Sequence, residues 1–402
     1  MRILLLNQFY PPDVAPTGQY LHDLARRLVE RGHEVEVVCS QRSYDGGSRF
    51  LPGEIIDGVR VTRLPAFGFG RRGFIGKLAD YMSFYLLLAL RLLTVRHPDL
   101  ILSLTTQPYV GLLGKLAAKL RRSEHAHWIM DLYPDVLAAH GSMRSQSLCF
   151  RFLAWLTRMQ LRGSKLKLTL GEFMNTRVSA YVDSRESSLT VVPLWSANDL
   201  TPCVQETVMS IRDQRQWKTS DLVLMYSGNM GLGHRFQEFL NAADRLGPVG
   251  PLWVFAGGGK RRAEVETFAK AHPHARITML PYAPREQLRE SLCAADVHLV
   301  SQDSAWQGLI VPSKLQSIFA VGRPVVFVGS RDNEIANWIE KSGAGWIAPE
   351  NDVDVLIAAV RDAGDITERT KRGLAAQQFA EAWFQADASC TRIVQLLESA
   401  VN

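Results

Sequence analysis

Two segments of the chain each run from a strand or loop into a predicted helix start, an arrangement that binds phosphate groups. The first reads MYSGNMGLG from Met225 to Gly233, and the second reads VPSKLQSIFAVGRP from Val311 to Pro324. In each, a predicted strand or loop leads into a helix whose N-terminal amides and dipole attract anions. The glycines of the first segment, Gly228 among them, let backbone amides approach an anion closely. The two segments together predict one diphosphate site.

Lys314 is the strongest candidate cation of this site. It lies in the first turn of the helix predicted after Pro312, where the helix dipole disfavours a positive charge. A bound anion would explain that position, and a solvated lysine is the alternative. Ser313 is predicted to cap the same helix, and Gly322 to end it.

A second candidate phosphate-binding loop, NQFYPPDVAPTG, runs from Asn7 to Gly18 after the first predicted strand. Open parallel sheets bind ligands at the carboxyl ends of their strands, so Thr17 and Gly18 are placed to offer amides to a phosphate. Alternatively, Thr17 caps a proline-stiffened loop and no ligand is involved.

Predicted strands and helices alternate in two series, which indicates two parallel, doubly wound sheets. The proline-containing stretch from Pro193 to Thr219 breaks this alternation. We therefore predict an N-terminal domain, a C-terminal domain and a last helical segment, at 1–195, 196–378 and 379–402.

The composition fits a globular protein of two domains and excludes several other classes. The chain has 402 residues, 47% of them hydrophobic and 21% charged. A net charge of +6 is compatible with an anionic partner, but no zinc-finger spacing or RNP-type strand points to nucleic acid. Five scattered cysteines without a CxxC pair indicate a reducing compartment and no structural zinc. The apolar run in MRILLLNQ is too short for a signal peptide and is typical of a buried strand.

The alternation, the two glycine and lysine segments and the stretch ITMLPYAPREQLRESLCAADVHLVSQ resemble GT-B glycosyltransferases, specifically the retaining family 4. The resemblance implies two Rossmann-like doubly wound parallel-sheet domains that face each other across a cleft, with the acceptor bound by the first and the nucleotide sugar by the second. It implies retaining transfer of a hexosyl or N-acetylhexosaminyl group from a UDP-sugar, with no metal and no resident cofactor. It also implies a last helix that crosses back onto the first domain, although that helix could simply cap the second.

The resemblance assigns donor-binding roles to side chains of the second domain. Asn229 and His234 stand where family members carry Arg and Lys on the donor diphosphate, and Arg235 is adjacent. The Asn229 amide can donate a hydrogen bond, and His234 or Arg235 at the predicted helix start can face an anion. For His234 the alternative is a surface histidine near a turn. Tyr282 follows a strand, where it either stacks on the base or packs within the loop.

The chain departs from the family at its pair of glutamates. Leu309 occupies the position that touches the donor sugar, and Ser317 the position on the nucleotide ribose. Ser317 can bond one ribose hydroxyl, and Asp303 is a candidate acceptor for sugar hydroxyls. A PSKL sequence without the glutamates resembles the amino-deoxy-sugar transferases, the subgroup that builds bacterial capsule, O-antigen and exopolysaccharide.

On the acceptor side, the segment HWIMDLYPD places Asp131 and Asp135 after a predicted strand. Asp131 is positioned to orient or deprotonate an acceptor hydroxyl. The alternative is that both carboxylates cap the turn around Pro134. No metal site is expected.

Two basic stretches predict contact with an anionic membrane surface. Arg71, Arg72 and Lys77 precede an apolar helix at 78–95 that is too short and too charged to span a bilayer, and core packing is the alternative for this helix. From residue 144 to 167, basic residues recur around aromatic ones. The stretches favour a polyprenyl-diphosphate-linked saccharide acceptor and a cytoplasmic, peripheral location at the inner face of the bacterial plasma membrane.

Two other functions on the same fold stay open. The missing glutamates leave room for a catalytically silent scaffold protein. A nucleotide-sugar 2-epimerase would need carboxylates around the sugar ring, and their absence counts against it. A dinucleotide oxidoreductase is excluded because NQFYPPD is not a GxGxxG turn.

Overall fold

A computed structural model describes residues 1–44, 48–68, 73–183, 189–197 and 199–401 of the chain. Arg71, Arg72 and the side chain of Lys77, on which part of the membrane prediction rests, lie outside the described residues. The chain forms two compact units, which we call unit 1 (Met1–Pro193 with Asp387–Asn402) and unit 2 (Leu194–Ala386).

Unit 1 alternates strands and helices along nearly its whole length. Its strands are β1 (Arg2–Leu6), β2 (Glu34–Ser40), β3 (Gly53–Ile56), β4 (Val59–Leu64), β5 (Leu100–Leu104), β6 (Glu124–Trp128), β7 (Leu166–Thr169) and β8 (Leu189–Val191). Its helices are α1 (Pro16–Glu30), α2 (Gly73–Thr94), α3 (Val110–Arg121), α4 (Asp135–Ala139), α5 (Leu148–Leu161), α6 (Glu172–Ser179) and, from its second residue, α15 (Ala386–Val401).

These strands form one sheet in the order β3-β4-β2-β1-β5-β6-β7-β8. All described pairs are parallel except β3 with β4, a hairpin closed by Asp57 and Gly58, which both have positive φ angles. The central strands are continuous apolar runs because helices cover both faces of the sheet. On one face, α2 and α3 bury Phe84, Leu88 and Ala118 against the sheet.

Unit 2 repeats the plan with a smaller sheet. Its strands are β9 (Val223–Ser227), β10 (Leu252–Ala256), β11 (Ile277–Leu280), β12 (Val297–Ser301), β13 (Val325–Val328) and β14 (Gly345–Ala348), in the order β11-β10-β9-β12-β13-β14. Its helices are α7 (Gln205–Gln214), α8 (Gln237–Leu246), α9 (Arg262–Ala271), α10 (Leu288–Cys293), α11 (Lys314–Ala320), α12 (Glu334–Ser342), α13 (Val353–Asp362) and α14 (Ile366–Trp383). All described strand pairs of this sheet are parallel, so the predicted pair of doubly wound sheets is confirmed.

The structure departs from the predicted elements mainly around residue 200 and after residue 350. The predicted boundary stretch contains α7, and α13 and α14 were not anticipated. The last segment does not begin at 379, because α14 continues to Trp383 and the buried Phe384 ends it before α15. From Asp387 onward, α15 lies on α1, where the Arg27 guanidinium donates to the Thr391 hydroxyl over 2.9 Å and His33 lies 2.9 Å from Glu398.

Among the described residues, no helix combines the length and the apolar content needed to cross a bilayer.

Candidate functional site

The strand order of unit 2 reverses between β9 and β12, which are neighbours in the sheet. Chain connections lead away to opposite sides at such a point, and the loops that follow the two strands leave a crevice for a ligand. The loop after β9 carries Gly228, and the loop after β12 leads to Lys314 at the start of α11. The two segments with phosphate-binding patterns therefore flank this crevice.

The loops after β9 and β10 are packed backbone against backbone. A methyl group on Gly257 would lie 2.1 Å from the Gly228 carbonyl oxygen, and one on Gly259 would lie 2.4 Å from the Asn229 side chain. The Met230 amide donates to the Gly258 carbonyl over 2.6 Å. Gly228, Gly257 and Gly259 all have φ angles near +128°, a region that favours glycine. Glycine is thus required here to fit the loops together.

Backbone donors remain available in this loop. The described residues offer no hydrogen-bond acceptor to the amides of Asn229 and Gly231. The Asn229 side chain is exposed, and it makes no hydrogen bond with the described part of the chain.

Lys314 carries a buried ammonium group without a hydrogen-bond partner among the described residues. Its Nζ lies 3.7 Å from the ring centroid of Tyr226 and 3.6 Å from the position of a methyl group on Gly228. Burial lowers the pKa of the Lys314 ammonium to about 7. A buried cation without a counter-charge is costly, so the position is suited to an anion that arrives with a ligand.

His234 lies next to this ammonium, but it is not a second cation. Its Nδ1 is 2.6 Å from the Ser301 carbonyl oxygen and must donate to it, which leaves Nε2 as an acceptor. Burial, together with the charge of Lys314, lowers the pKa of His234 to about 3. The predicted role of His234 as a charged diphosphate ligand therefore does not hold, because the imidazole is neutral.

Arg235 is also committed elsewhere. Its guanidinium lies 2.8 Å from a Glu238 oxygen, 3.3 Å from Asp303 and 3.5 Å from Glu350. Asp303 uses its other oxygen to accept the Ala305 amide over 3.0 Å. Arg235 and Asp303, predicted as donor ligands, instead tie the loops after β9 and β12 to the start of α8.

The start of α8 was predicted near His234 and lies at Gln237. The residues before it are held in irregular backbone, because the Arg235 amide donates to the Ser301 hydroxyl over 3.0 Å. Gly233 lies against the ring of Trp306, and a methyl group on Gly233 would lie 3.0 Å from that ring. The helix amides therefore begin farther along the chain than predicted.

Tyr282 lies against the glycine loop after β10. Its ring is 3.1 Å from the position of a methyl group on Gly258, and its hydroxyl donates to the Gly258 carbonyl over 3.2 Å. The residue is 57% exposed, so ring surface remains for a ligand.

The first turn of α11 presents Lys314 and Ser317 three residues apart, on one face of the helix. Ser313 occupies the N-cap position but makes no side-chain capping bond, contrary to the prediction. Ser317 is half-buried, and its hydroxyl makes no hydrogen bond with the described residues. Leu309, at the position of the family's first glutamate, is buried.

In unit 1, the loop after β1 departs from the predicted phosphate cradle. Helix α1 begins at Pro16 with Ala15 as N-cap, so Thr17 is in the first turn and caps nothing. The Gly18 amide donates to the Ala15 carbonyl over 3.0 Å and is not free. Gly18 is needed because a methyl group there would lie 3.1 Å from the backbone of Phe9.

Asp131 follows β6 at the carboxyl edge of the unit 1 sheet. Its amide donates to the Thr105 hydroxyl over 2.9 Å, while the described residues offer its carboxylate no hydrogen-bond donor. Burial raises the pKa of Asp131 to about 6. A small cavity of about 10 Å³ separates it from His127 and Gln160, both buried. Asp135 accepts a hydrogen bond from the Tyr181 hydroxyl, so its carboxylate, unlike that of Asp131, already has a donor.

No group of three or more histidine, cysteine, aspartate or glutamate side chains within the described ranges has the geometry of a metal site. Sequence reasoning missed Tyr226, whose ring lies beside the Lys314 ammonium. Its position near the end of β9, two residues before Gly228, is the signal that was available.

Comparisons with known proteins agree with this architecture. Residues 17–195 match the family described as Glycosyl transferase 4-like domain. The chain is 23% identical over 379 residues to WcaI of Escherichia coli (strain K12), which is named for a glycosyl transferase of colanic acid biosynthesis; the match covers 90% of this chain and 92% of WcaI.

Two solved structures share the fold over 99% of this chain, each at 15% identity. Sucrose-phosphate synthase from Thermosynechococcus elongatus has a TM-score of 0.78 and is covered to 98%. HepE of Anabaena, in complex with UDP-glucose, has a TM-score of 0.74 and is covered to 100%. The two sheets and these neighbours define a GT-B glycosyltransferase fold.

Residues 17–195 carry a GT4-type glycosyltransferase domain, and the chain is homologous to WcaI. The predicted family resemblance is confirmed.

Proposed function

We propose that the chain is a retaining glycosyltransferase that moves a sugar from a UDP-sugar to a polyprenyl-diphosphate-linked saccharide in cell-surface polysaccharide biosynthesis. The observation that carries the proposal is the unpaired ammonium of Lys314 beside the Gly228 loop, at the strand-order reversal of unit 2. The naming of WcaI for colanic acid biosynthesis and the UDP-glucose complex of HepE support the same pathway and donor class.

The donor diphosphate would be held by Lys314 and by the free amides of Asn229 and Gly231. A diphosphate oxygen within reach of Lys314 restores the counter-charge that the buried ammonium lacks, and raises its pKa. Since charge grows on the diphosphate as the glycosidic bond breaks, this fixed cation stabilises the transition state more than the ground state. Lys314 therefore takes the principal electrostatic role.

The nucleoside would be recognised by the exposed ring of Tyr282 and by the Ser317 hydroxyl. The ring offers a stacking surface to the base. Ser317 faces the same side of α11 as Lys314, which suits a single hydrogen bond to the ribose. His234, held neutral, can accept a hydrogen bond through Nε2 from a donor hydroxyl.

In unit 1, Asp131 would orient the acceptor hydroxyl. Its carboxylate has no donor among the described residues, and its raised pKa makes it more basic than an ordinary aspartate. The attacking hydroxyl approaches on the face of the leaving group, and the departing phosphate takes its proton. This route to retention needs no protein nucleophile, and the charge on Lys314 serves it without a metal.

A peripheral location at the cytoplasmic face of the plasma membrane is part of the proposal. On α5, Phe152 and Trp155 are exposed and stacked, and Arg151 and Arg158 lie beside them. From Val136 to Gly171 the sequence contains six Lys or Arg residues and no Asp or Glu, and all six are exposed except Lys167, which is buried. Such a basic and aromatic face adsorbs to anionic lipid surfaces.

A catalytically silent GT-B scaffold is the second candidate, favoured by one observation. Leu309 is buried where the family carries a donor-contacting glutamate, and Asp303, the candidate to replace that glutamate, is paired with Arg235. A scaffold would bind UDP without turning over a UDP-sugar.

The test is UDP release from a panel of UDP-sugars, including amino-deoxy sugars, in the presence of polyprenyl-diphosphate-linked saccharides. We expect acceptor-dependent release by the wild type, reduced about a hundredfold in Lys314→Ala, the range seen when one transition-state donor is removed. Lys341→Ala, an exposed lysine of α12, is the matched control and should retain full activity. UDP binding without release from any donor and acceptor pair would establish the scaffold instead.

A further inference from the structure

An apolar groove of about 600 Å³ lies between α2 and α3 of unit 1. Leucines dominate its walls: Leu90 and Leu93 from α2 are 54% and 68% exposed, and Leu116 and Leu120 from α3 are 53% and 68% exposed. Ala117 forms part of the floor. Four leucines exposed side by side are unusual on a soluble surface and mark a site that binds something apolar. We call this feature the α2–α3 groove.

One end of the α2–α3 groove is basic. Arg121 closes it by donating to the carbonyls of Leu92 and Leu93 over 3.1 and 2.6 Å. Arg122 and His97 also line this end, and both are exposed without a side-chain partner in the described ranges. No Asp or Glu lines the groove. An apolar trough with a cationic end is complementary to an amphiphile that has a hydrocarbon chain and an anionic head.

The position of the basic end decides which amphiphile fits. Arg122 directly follows α3 and lies two residues before β6 begins, at the edge where that strand starts. Asp131 follows the opposite end of β6, a strand of five residues that spans about 16 Å. An anionic head at Arg122 is therefore at the wrong edge to be the diphosphate of the sugar acceptor. A phospholipid of the bilayer fits this position.

The groove is continuous with the basic and aromatic face of α5. Helix α3 packs beside α5, where the Lys115 ammonium donates to the Met159 carbonyl. Lys119 on α3 is exposed and adds a cation to the same side. A membrane bound by α5 would thus lie against the helix pair that forms the groove.

We propose that the α2–α3 groove takes one acyl chain of an anionic bilayer phospholipid, with the lipid phosphate at Arg122. This inference rests on the proposed function at a membrane surface, and it adds a specific lipid site to general adsorption. The acyl chain of the lipid inserts between the exposed leucines and holds unit 1 on the bilayer.

The experiment uses the full chain and vesicles of phosphatidylglycerol and phosphatidylcholine that contain phosphatidylglycerol with a diazirine on one acyl chain. After irradiation, peptide mass spectrometry locates the labelled residues. We expect labels on Leu90, Leu93, Leu116 and Leu120. Partitioning onto these vesicles should fall about tenfold in the Leu90→Gln/Leu120→Gln variant, since two leucine contacts with hydrocarbon are lost.

The matched control replaces two leucines of similar exposure that lie outside both the groove and α5, Leu51→Gln/Leu374→Gln. This control should keep the groove labels. Labels confined to α5, with none in the groove, would overturn the proposal. A dimer in solution that Leu90→Gln/Leu120→Gln dissociates would also overturn it, because the groove would then be covered by a second copy of the chain. UDP-induced thermal stabilisation should be unchanged in both variants, so loss of the lipid site is distinguishable from loss of the donor site.

Discussion

Replacing the buried lysine by an apolar residue of similar shape, Lys314→Met, should make unit 2 more stable and should abolish its binding of UDP. Burial lowers the pKa of Lys314 to about 7 from an ordinary value of 10.5. The unfolded chain binds the Lys314 proton more tightly than the folded chain does. The charged lysine therefore destabilises the folded protein at every pH below about 10. The methionine fills similar volume and carries no charge that must lose its hydration.

The magnitude follows from the two pKa values. A pKa of 10.5 in the unfolded chain and of about 7 in the folded chain corresponds to about 5 kcal/mol at low pH, and the cost falls to about 4 kcal/mol at pH 7 because half of Lys314 is neutral there. At pH 9 most of the folded protein is already neutral at Lys314 while most of the unfolded protein is not, so the cost falls to about 2 kcal/mol. The stability of the wild type should therefore rise with pH between about 7 and 10 relative to Lys314→Met.

The assay is urea unfolding followed by tryptophan fluorescence at pH 7 and pH 9, with and without UDP. We expect Lys314→Met to gain up to about 4 kcal/mol at pH 7 and about 2 kcal/mol less than that at pH 9. UDP should stabilise the wild type by mass action and leave the variant unaffected. Lys341→Met, at an exposed position of α12, should change neither quantity. A variant that is less stable than the wild type, or a gain that is the same at both pH values, would refute a buried, unpaired ammonium.

Three further perturbations test the surrounding structure. Asp131→Asn should lower turnover at least tenfold without changing UDP affinity, and wild-type turnover should fall as the pH drops through about 6, where the Asp131 carboxylate is protonated; a steady-state pH profile that is the same in the variant would contradict its role. Arg235→Gln should destabilise unit 2 by about 3 kcal/mol, because Glu238 is buried and loses its partner, whereas Arg331→Gln, which breaks an exposed pair, should cost less than about 1 kcal/mol in the same urea assay. Gly257→Ala should destabilise by about 3 kcal/mol or more, since its methyl group meets the Gly228 carbonyl; a near-native urea midpoint would show that the two loops are not held together.

The parallel strands and the central lysine could be predicted from sequence because both depend on local signals. A buried parallel strand is an apolar run of five or so residues, such as Leu252–Ala256, and its pattern survives in any context. Lys314 stood out because a cation in the first turn of a helix contradicts the helix dipole. Gly228 was recognisable for a similar reason, since a glycine directly after a strand marks a tight turn.

The roles of the charged neighbours could not be predicted because their partners are distant in sequence. In the sequence, Arg235 is free to bind a phosphate. In the fold, the loops after β12 and β14 place Asp303 and Glu350 beside it. His234 is neutral because it is buried beside Lys314, and its Nδ1 faces the Ser301 carbonyl, an arrangement that depends on the pairing of β9 with β12. Gly18 fits a phosphate-loop pattern, yet its need for glycine comes from the backbone of Phe9. Long-range packing, which no spacing rule encodes, decides these roles.

The most direct test of the donor site is the number of protons taken up when UDP binds at pH 8. Isothermal titration calorimetry in buffers of different ionisation enthalpy measures it. At this pH UDP is fully ionised and only about a tenth of Lys314 is charged, so pairing the ammonium with the diphosphate should draw in up to about 0.9 proton per UDP. Lys314→Met should show neither the uptake nor the binding. Tight binding of UDP with no proton uptake, or with unchanged affinity in Lys314→Met, would contradict the assignment of Lys314 to the diphosphate.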